Sequence, residues 1–159
     1  MTDAAPPAGL RFLFRTDQGT VARRDWWRGA AILAAPLLVL TAGWKLLEPF
    51  ANRSLDERNL VDAMTIVTYV YLIVYAFVVL LIAVSFFNLS AKRLRARRLP
   101  PGLAGLPPLA ALCAGAAHWL HPRVSEVMPF AIVAGLDLAL AASLLWIVFE
   151  LGLREDRPA

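Results

Sequence analysis

Residues 63–91 read AMTIVTYVYLIVYAFVVLLIAVSFFNLSA and contain no charged side chain. A helix needs about 20 apolar residues to cross the hydrocarbon core of a bilayer, at a rise of about 1.5 Å per residue. Because this segment is longer than that, it predicts a membrane-spanning helix that tilts or extends into the interface.

The composition of the whole chain also indicates a membrane protein. Of its 159 residues, 59% are hydrophobic and 18% are charged, which is outside the range of soluble domains. Three further apolar segments are long enough to span a bilayer: 29–48, 100–121 and 127–150. The sequence therefore predicts an all-α, polytopic membrane protein, a bundle of four transmembrane helices within residues 29–153. The tails, 1–28 and 154–159, are too short for a soluble catalytic domain.

Prolines make two of the predicted spans less regular. Pro36 lies in the middle of the first span and predicts a bend there. The third segment carries four prolines and fits either a span or a re-entrant hairpin; they are Pro100, Pro101, Pro107 and Pro108. Prolines are tolerated in the first turns of a helix, which favours a span.

The distribution of basic residues predicts the orientation in the membrane. Of the 16 Lys and Arg residues, all but four lie before the first span, between the second and third, or after the fourth. The two opposite loops hold the other four: Lys45, Arg53, Arg58 and Arg123. By the positive-inside rule, both termini are expected in the cytoplasm.

The segment before the first span predicts an interfacial anchor. Residues 19–28 (GTVARRDWWR) include basic and aromatic side chains that favour the lipid headgroup region: Arg23, Arg24, Trp26 and Trp27. Thr20 is a candidate N-cap of a short amphipathic helix that lies on the membrane and turns into it near Trp27. The first ten residues lack the basic-then-apolar order of a signal peptide, so we expect the first span to be retained.

The loop after the second span is the most basic stretch of the chain. Residues 92–99 read KRLRARRL and carry five positive charges: Lys92, Arg93, Arg95, Arg97 and Arg98. We expect these charges to be solvated and to contact anionic lipid or an acidic partner, at about 1 kcal/mol per charge near an anionic leaflet. The alternative is that they only determine topology. Nucleic acid is not an expected partner, because the loop has no interleaved aromatic residues for stacking.

These two basic segments resemble the YhaH-like family of small bacterial inner-membrane proteins, a family of unknown function. Its members carry an Arg-Arg-acidic/aromatic-Trp motif before the first helix, which residues 23–27 (RRDWW) match. The family's Lys/Arg-Arg-Leu-His-Asp motif after the second helix is matched at 92–94 (KRL), but Arg95 and Ala96 replace the His-Asp pair. The usual Gly-x-Ser-Gly-Trp continuation is replaced by residues 97–102. The resemblance therefore implies a four-helix inner-membrane protein and implies no reaction.

Candidate ligands for a metal or cofactor are few. His118 and His121 are three residues apart and share one helical face, but two ligands are too few for a metal site. They are the only histidines, so a haem cannot find histidines on facing helices of one chain. The single cysteine, Cys113, excludes thiolate clusters and Cys-x-x-Cys sites. We expect no bound metal and no cofactor.

Asp137 is the sharpest functional candidate, because it is the only charged residue between Val127 and Phe149. A carboxylate inside a span costs about 2.5 to 3.5 kcal/mol on insertion scales, so we expect it to face the bundle interior. By helical rise, four polar residues lie at a similar depth and complete a predicted cluster: Lys45, Thr68, Tyr71 and His118. In this cluster Tyr71 or His118 donates to the carboxylate and Lys45 is the counter-charge. The cluster is either a structural hydrogen-bond site or a proton relay or ligand pocket.

No catalytic constellation is visible, such as a nucleophile with a base, paired carboxylates or a phosphate loop. Small residues favour close packing of the third and fourth spans with each other or with a partner; they are Ala111, Gly115, Ala131, Gly135, Ala139 and Ser143. We therefore expect a non-catalytic accessory, assembly or regulatory subunit of the bacterial inner membrane. Its expected partners are anionic lipids and other membrane subunits or further copies of itself. The alternative is a small transporter or ligand-binding bundle that uses Asp137.

Overall fold

The structure of this protein, a computed structural model, describes residues 9–51, 62–121 and 128–154. Its regular elements are all helices, and no strand occurs in these described ranges. Four helical segments are long and apolar enough to cross a membrane: Arg23–Ala51, Ala63–Ala96, Pro101–Leu120 and Phe130–Leu153. The predicted fold class, an all-α protein with four membrane-spanning helices, is confirmed.

The helices extend further into the basic segments than the sequence analysis predicts. The elements in chain order are α1 (Leu10–Phe14), α2 (Arg23–Ala51), α3 (Ala63–Ala96), a 3-10 turn (Pro101–Gly105), α4 (Leu106–Leu120), α5 (Phe130–Ile147) and a π-helical turn (Val148–Leu153). Helix α2 begins at Arg23 rather than at residue 29, and α3 continues to Ala96 rather than to residue 91. Both basic motifs are therefore largely helical.

The predicted separate helix at residues 20–28, capped by Thr20, is wrong. Helix α2 runs from Arg23 without a separate segment before Trp27, and Thr20 lies outside it. Packing against α3 explains this. The indole N–H of Trp26 donates to Ser90 Oγ at 3.3 Å, and a Cβ added at Gly29 would lie only 2.8 Å from Leu89 Cδ2. The start of α2 therefore packs closely on the end of α3, and the short N-terminal helix is α1 instead.

The proline-rich third segment is helical along its length. Pro101 opens the 3-10 turn, and Pro107 and Pro108 lie in the first turn of α4, where a missing N–H group breaks no helical bond. The 3-10 turn leads directly into α4, so Pro101–Leu120 is one helical segment of spanning length. This supports the predicted span over the re-entrant hairpin. Helix α2 likewise continues through Pro36 and Pro49.

The chain divides into two compact units, and the first is Ala31–Ala83. In this unit, hydrogen bonds from two tyrosines of α3 join α3 to α2. The hydroxyl of Tyr71 donates to the carbonyl oxygen of Leu40 at 2.7 Å, and the hydroxyls of Thr41 and Tyr75 lie 3.1 Å apart. A Cβ added at Gly43 would lie 3.0 Å from Tyr71 Cζ. Glycine is therefore required where the tyrosine crosses α2.

The second unit comprises the described residues of Met1–Ala30 and Val84–Ala159. One part of it is the hairpin of α4 and α5, which buries Ala114 and Ala117 of α4 and Val133 and Ile147 of α5. The other part joins α1, the start of α2, the end of α3 and the π-helical turn. We call this second part the basic end.

The small residues expected to pack α4 against α5 do not do so. Ala131, Gly135 and Ala139 are exposed, as is Gly115, and a Cβ added at Gly115 or Gly135 meets no atom within 4 Å. The two helices instead meet through the faces that carry Ala114, Ala117 and Val133. In the described part of the chain, the predicted packing of these stripes on each other is wrong.

Candidate functional site

His118 and Asp137 form a cross-helix pair in the α4–α5 hairpin. The Nε2 atom of His118 lies 3.0 Å from each carboxylate oxygen of Asp137. Because an ionised carboxylate only accepts, this contact is a hydrogen bond in the forms of the imidazole that carry a proton on Nε2. Of the two donors predicted for Asp137, the structure places His118 on the carboxylate.

The pair is exposed, which corrects the prediction that Asp137 faces the interior. The side chains of His118 and Asp137 retain 62% and 47% of their surface. Asp137 is the eighth residue of α5, about 10 Å along it at the helical rise. The face of α5 that packs inward carries Val133 and Ile147, with Leu136 and Leu140 half-buried beside them. Asp137 lies at the edge of that face.

The other three members of the predicted cluster have partners of their own within Ala31–Ala83. Tyr71 donates its only hydroxyl proton to Leu40. Lys45 forms an ion pair with Glu48 at 2.9 Å one turn along α2. Thr68 is fully buried and donates to the carbonyl oxygen of Met64 at 2.7 Å. The structure thus brings together His118 and Asp137 and gives Lys45, Thr68 and Tyr71 separate local roles.

The second histidine does not join the pair. The ring of His121 packs edge-on against Phe130, with ring centroids 6.1 Å apart. No group of three or more His, Cys, Asp or Glu side chains that could hold a metal occurs in the part of the chain described by the structure. His118 and Asp137 thus bring one imidazole and one carboxylate within hydrogen-bonding distance on neighbouring helices.

The basic end caps the C-terminus of the fourth span. The last carbonyl groups of a helix lack partners within it and carry partial negative charge, so basic side chains bind them favourably. Four donors from α2, α3 and the residue after α3 bind successive carbonyl oxygens of the π-helical turn: Arg97 Nη1 to Glu150 at 2.9 Å, Arg93 Nε to Leu151 at 3.2 Å, Trp27 Nε1 to Gly152 at 3.1 Å and Arg23 Nη1 to Leu153 at 3.4 Å. Residues of both basic motifs thus hold one helix end.

The same end of the molecule also binds α1 through its carbonyl groups. Lys92 Nζ donates to the carbonyl oxygen of Phe12 and, at 3.0 Å, to that of Leu13. Asn88 Nδ2 donates to the carbonyl oxygen of Phe14 at 2.9 Å. The ammonium group also lies 4.5 Å from the centroid of the Phe12 ring. These contacts hold the N-terminal segment on α3.

The expectation that the charges of residues 92–99 are solvated is wrong for three of the five. Lys92 and Arg93 are fully buried and Arg97 is 2% exposed. The reason is that α3 continues as a helix to Ala96 and turns these side chains toward carbonyl groups of α1 and of the π-helical turn. Arg95 is half-buried and donates to the carbonyl oxygen of Asp17, whereas Arg98 is exposed. Trp26, expected at the lipid surface, is buried as well.

Glu150 is the functional residue that the sequence analysis missed. Its carboxylate binds the buried Arg97, with Arg97 Nη2 3.1 Å from Oε1, and the half-exposed Arg154, with Arg154 Nη1 2.8 Å from Oε2. A signal was present, because Glu150 directly follows the apolar run WIVF and so lies at the end of a span, at the most basic end of the molecule. Such an acid needs a positive partner when it is buried.

No family model, curated protein or solved structure matches this chain. The resemblance to YhaH-like proteins therefore stays a prediction that rests on residues 23–27 and 92–94. Five of these residues donate side-chain hydrogen bonds at the basic end: Arg23, Trp26, Trp27, Lys92 and Arg93.

Proposed function

We propose that this protein is a non-catalytic accessory, assembly or regulatory subunit of a membrane complex in the bacterial inner membrane. In this proposal both termini lie in the cytoplasm, and the basic end faces anionic lipid. The side of the α4–α5 hairpin that carries His118 and Asp137 is the side that joins another membrane subunit.

The observation that supports this proposal is an exposed ion-forming pair on helices of spanning length. A carboxylate that faces hydrocarbon is costly, and polar groups on transmembrane helices are used to bind neighbouring helices. Ala134 and Ala141 lie one turn before and after Asp137 and are also exposed. A partner helix can therefore approach the pair closely and shield it from lipid.

Site-specific photocrosslinking in the native membrane tests this proposal. A photoreactive amino acid at Ala134 is expected to give one adduct of discrete mass. The matched control is Ala139, which is also exposed but points away from Asp137, because residues two apart do not share a helix face. Asp137→Asn is expected to keep the adduct, since the amide oxygen still accepts from His118, whereas Asp137→Leu is expected to remove it. Equal adducts from both positions, or none from either, would contradict the proposal.

The second candidate function, a small transporter or ligand-binding bundle, is favoured by the titratable nature of the pair. An imidazole hydrogen-bonded to a carboxylate, as in His118 and Asp137, is the type of pair from which proton relays in membranes are built. For this second function, Asp137→Asn is expected to be disruptive rather than tolerated. Asp137→Asn is expected to abolish transport or ligand binding while the fold stays intact, because an amide does not exchange a proton at neutral pH.

A further inference from the structure

Arginines at the basic end fall into two groups that differ in exposure. Arg93 and Arg97 are buried and bind carbonyl groups of the chain itself. The others keep much of their surface in contact with the surroundings; the exposed ones are Arg11, Arg15, Arg23, Arg24, Arg28, Arg98 and Arg154. Only this second group is available to bind an external anion.

Three of the exposed arginines lie at one corner, where α2 begins and the π-helical turn ends. The start of α2 and the end of the π-helical turn are in direct contact there, since Arg23 donates to the carbonyl oxygen of Leu153 at 3.4 Å. Arg24 follows Arg23 in the chain, and Arg154 follows Leu153. The bond to Leu153 uses one of the five N–H donors of the Arg23 guanidinium group.

The described residues of this corner carry an excess of positive charge. Its two carboxylates are Glu150, which is 6% exposed and bound to both Arg97 and Arg154, and Asp25 in the first turn of α2. With Arg97 included, four arginines of the described residues stand against these two carboxylates; Glu155 and Asp156, which follow Arg154 in the sequence, lie outside the described residues. The exposed guanidinium groups of Arg23, Arg24 and Arg154 supply the paired N–H donors through which arginine binds a phosphate group.

Apolar side chains beside these arginines match a lipid better than a free anion. Trp27, Phe149 and Leu153 are 43%, 54% and 60% exposed. The guanidinium of Arg154 lies over the Phe149 ring, with Cζ 5.8 Å from the ring centroid. Tryptophan next to arginine at the end of a span is typical of the headgroup level of a bilayer. Free phosphate makes no use of exposed Phe149 and Leu153, whereas the acyl chains of a phospholipid can cover them.

We propose that this corner, formed by Arg23, Arg24, Trp27, Phe149, Leu153 and Arg154, binds the headgroup of an anionic phospholipid. The phosphate accepts hydrogen bonds from the three arginines, and the acyl chains lie along Phe149 and Leu153. This inference rests on the proposed placement in a membrane with anionic lipids and is independent of the subunit role.

Native mass spectrometry of the full chain in mild detergent, with added phosphatidylglycerol, tests the inference. The corner variant carries Arg23→Gln, Arg24→Gln and Arg154→Gln. The control variant, which loses the same charge, carries Arg11→Gln, Arg15→Gln and Arg98→Gln. Each arginine that donates directly to the phosphate is expected to contribute about fivefold in affinity, so the corner variant is expected to lose at least about tenfold in phosphatidylglycerol affinity. The control variant is expected to lose less than about twofold.

Several outcomes overturn the inference. They are an equal loss in both variants, which indicates diffuse surface charge, and displacement of the lipid by an equal concentration of inorganic phosphate, which indicates a free-anion site. The inference is also overturned if the unaltered chain does not retain phosphatidylglycerol in preference to phosphatidylcholine. If the corner variant does not fold, Arg24→Gln alone replaces it, with an expected loss of about fivefold, and an unchanged affinity contradicts the inference. No partner protein takes part, so this result and the crosslinking result can fail separately.

Discussion

Glu150 binds two arginines in contrasting surroundings, and this contrast predicts very unequal effects on stability. The Arg97 side chain is 3% exposed and that of Arg154 is 51% exposed, whereas the N–O distances are similar, 3.1 and 2.8 Å. Breaking a buried ion pair costs about 3 to 5 kcal/mol, because the desolvated charge left behind has lost its counter-charge. Breaking an exposed pair costs about 0.2 to 1 kcal/mol, because water and salt screen it.

We therefore expect Arg97→Gln to lower the free energy of unfolding by about 3 kcal/mol and Arg154→Gln by less than about 1 kcal/mol. Part of the cost of Arg97→Gln comes from its 2.9 Å bond to the carbonyl oxygen of Glu150, which does not involve the carboxylate. Double-mutant cycles with Glu150→Gln separate the two contributions, since only the side-chain pairing appears as coupling. The coupling energy is expected to be about 2 kcal/mol or more with Arg97 and below about 1 kcal/mol with Arg154.

The assay is chemical unfolding of the purified protein in a mild detergent, followed by circular dichroism, at low and high salt. Salt is expected to reduce the coupling of Glu150 with Arg154 and to leave that with Arg97 largely unchanged, because buried pairs are poorly screened. Equal coupling energies for the two arginines, or a stronger salt effect on Arg97, would refute the argument that burial determines the strength of these pairs.

Three further predictions follow from single features. Gly43→Ala is expected to lower stability by about 1 to 3 kcal/mol because the new Cβ meets the Tyr71 ring, and adding Tyr71→Phe should recover part of the loss, which thermal unfolding can check. Arg98 has φ 58°, a left-handed conformation that favours glycine, so Arg98→Gly is expected to raise stability by about 1 kcal/mol, whereas Arg95→Gly within α3 should lower it by a similar amount. Reporter fusions after residue 155 and within 92–98 are expected to be cytoplasmic, and those near residues 53–58 and 123 periplasmic. A periplasmic C-terminus with a cytoplasmic N-terminus would contradict the proposed topology.

The existence of the four spanning helices was predictable because long uncharged runs leave few alternatives, but their ends were not. Arg93 to Ala96 continue α3 because their side chains find partners in other elements, and no local pattern encodes those partners. The helix ends with Arg98 in a left-handed conformation, where Leu99 N–H bonds to the Leu94 carbonyl oxygen at 2.9 Å. Glycine usually marks such an ending, and its absence here removed the signal from the sequence.

The pairing of His118 with Asp137 was predictable from depth, whereas their exposure was not. Helical rise places residues near the same end of α4 and α5 at similar levels, which is sufficient to select His118 as a donor. The direction in which Asp137 points depends on the face that α5 buries. Nearly all other residues of α5 are apolar or small, so the helix has no distinct polar side to identify its inner face.

The basic loop shows why a count of positive charges does not predict what they contact. Arg93, in the last turn of α3, and Arg97, directly after the helix, are four residues apart and both bind carbonyl groups of the π-helical turn. Arg98, beyond the end of the helix, is exposed and remains available to lipid. The positive-inside rule treats these residues alike, because all of them lie at the same end of the spans. Their roles differ because the π-helical turn lies beside the end of α3. Its last carbonyl groups have no partners within their own helix, and its buried acid, Glu150, needs a positive partner. A buried acid among the basic residues at the end of a span, such as Glu150, therefore binds some of the nearby arginines, and fewer charges are left to bind a membrane surface than the sequence contains.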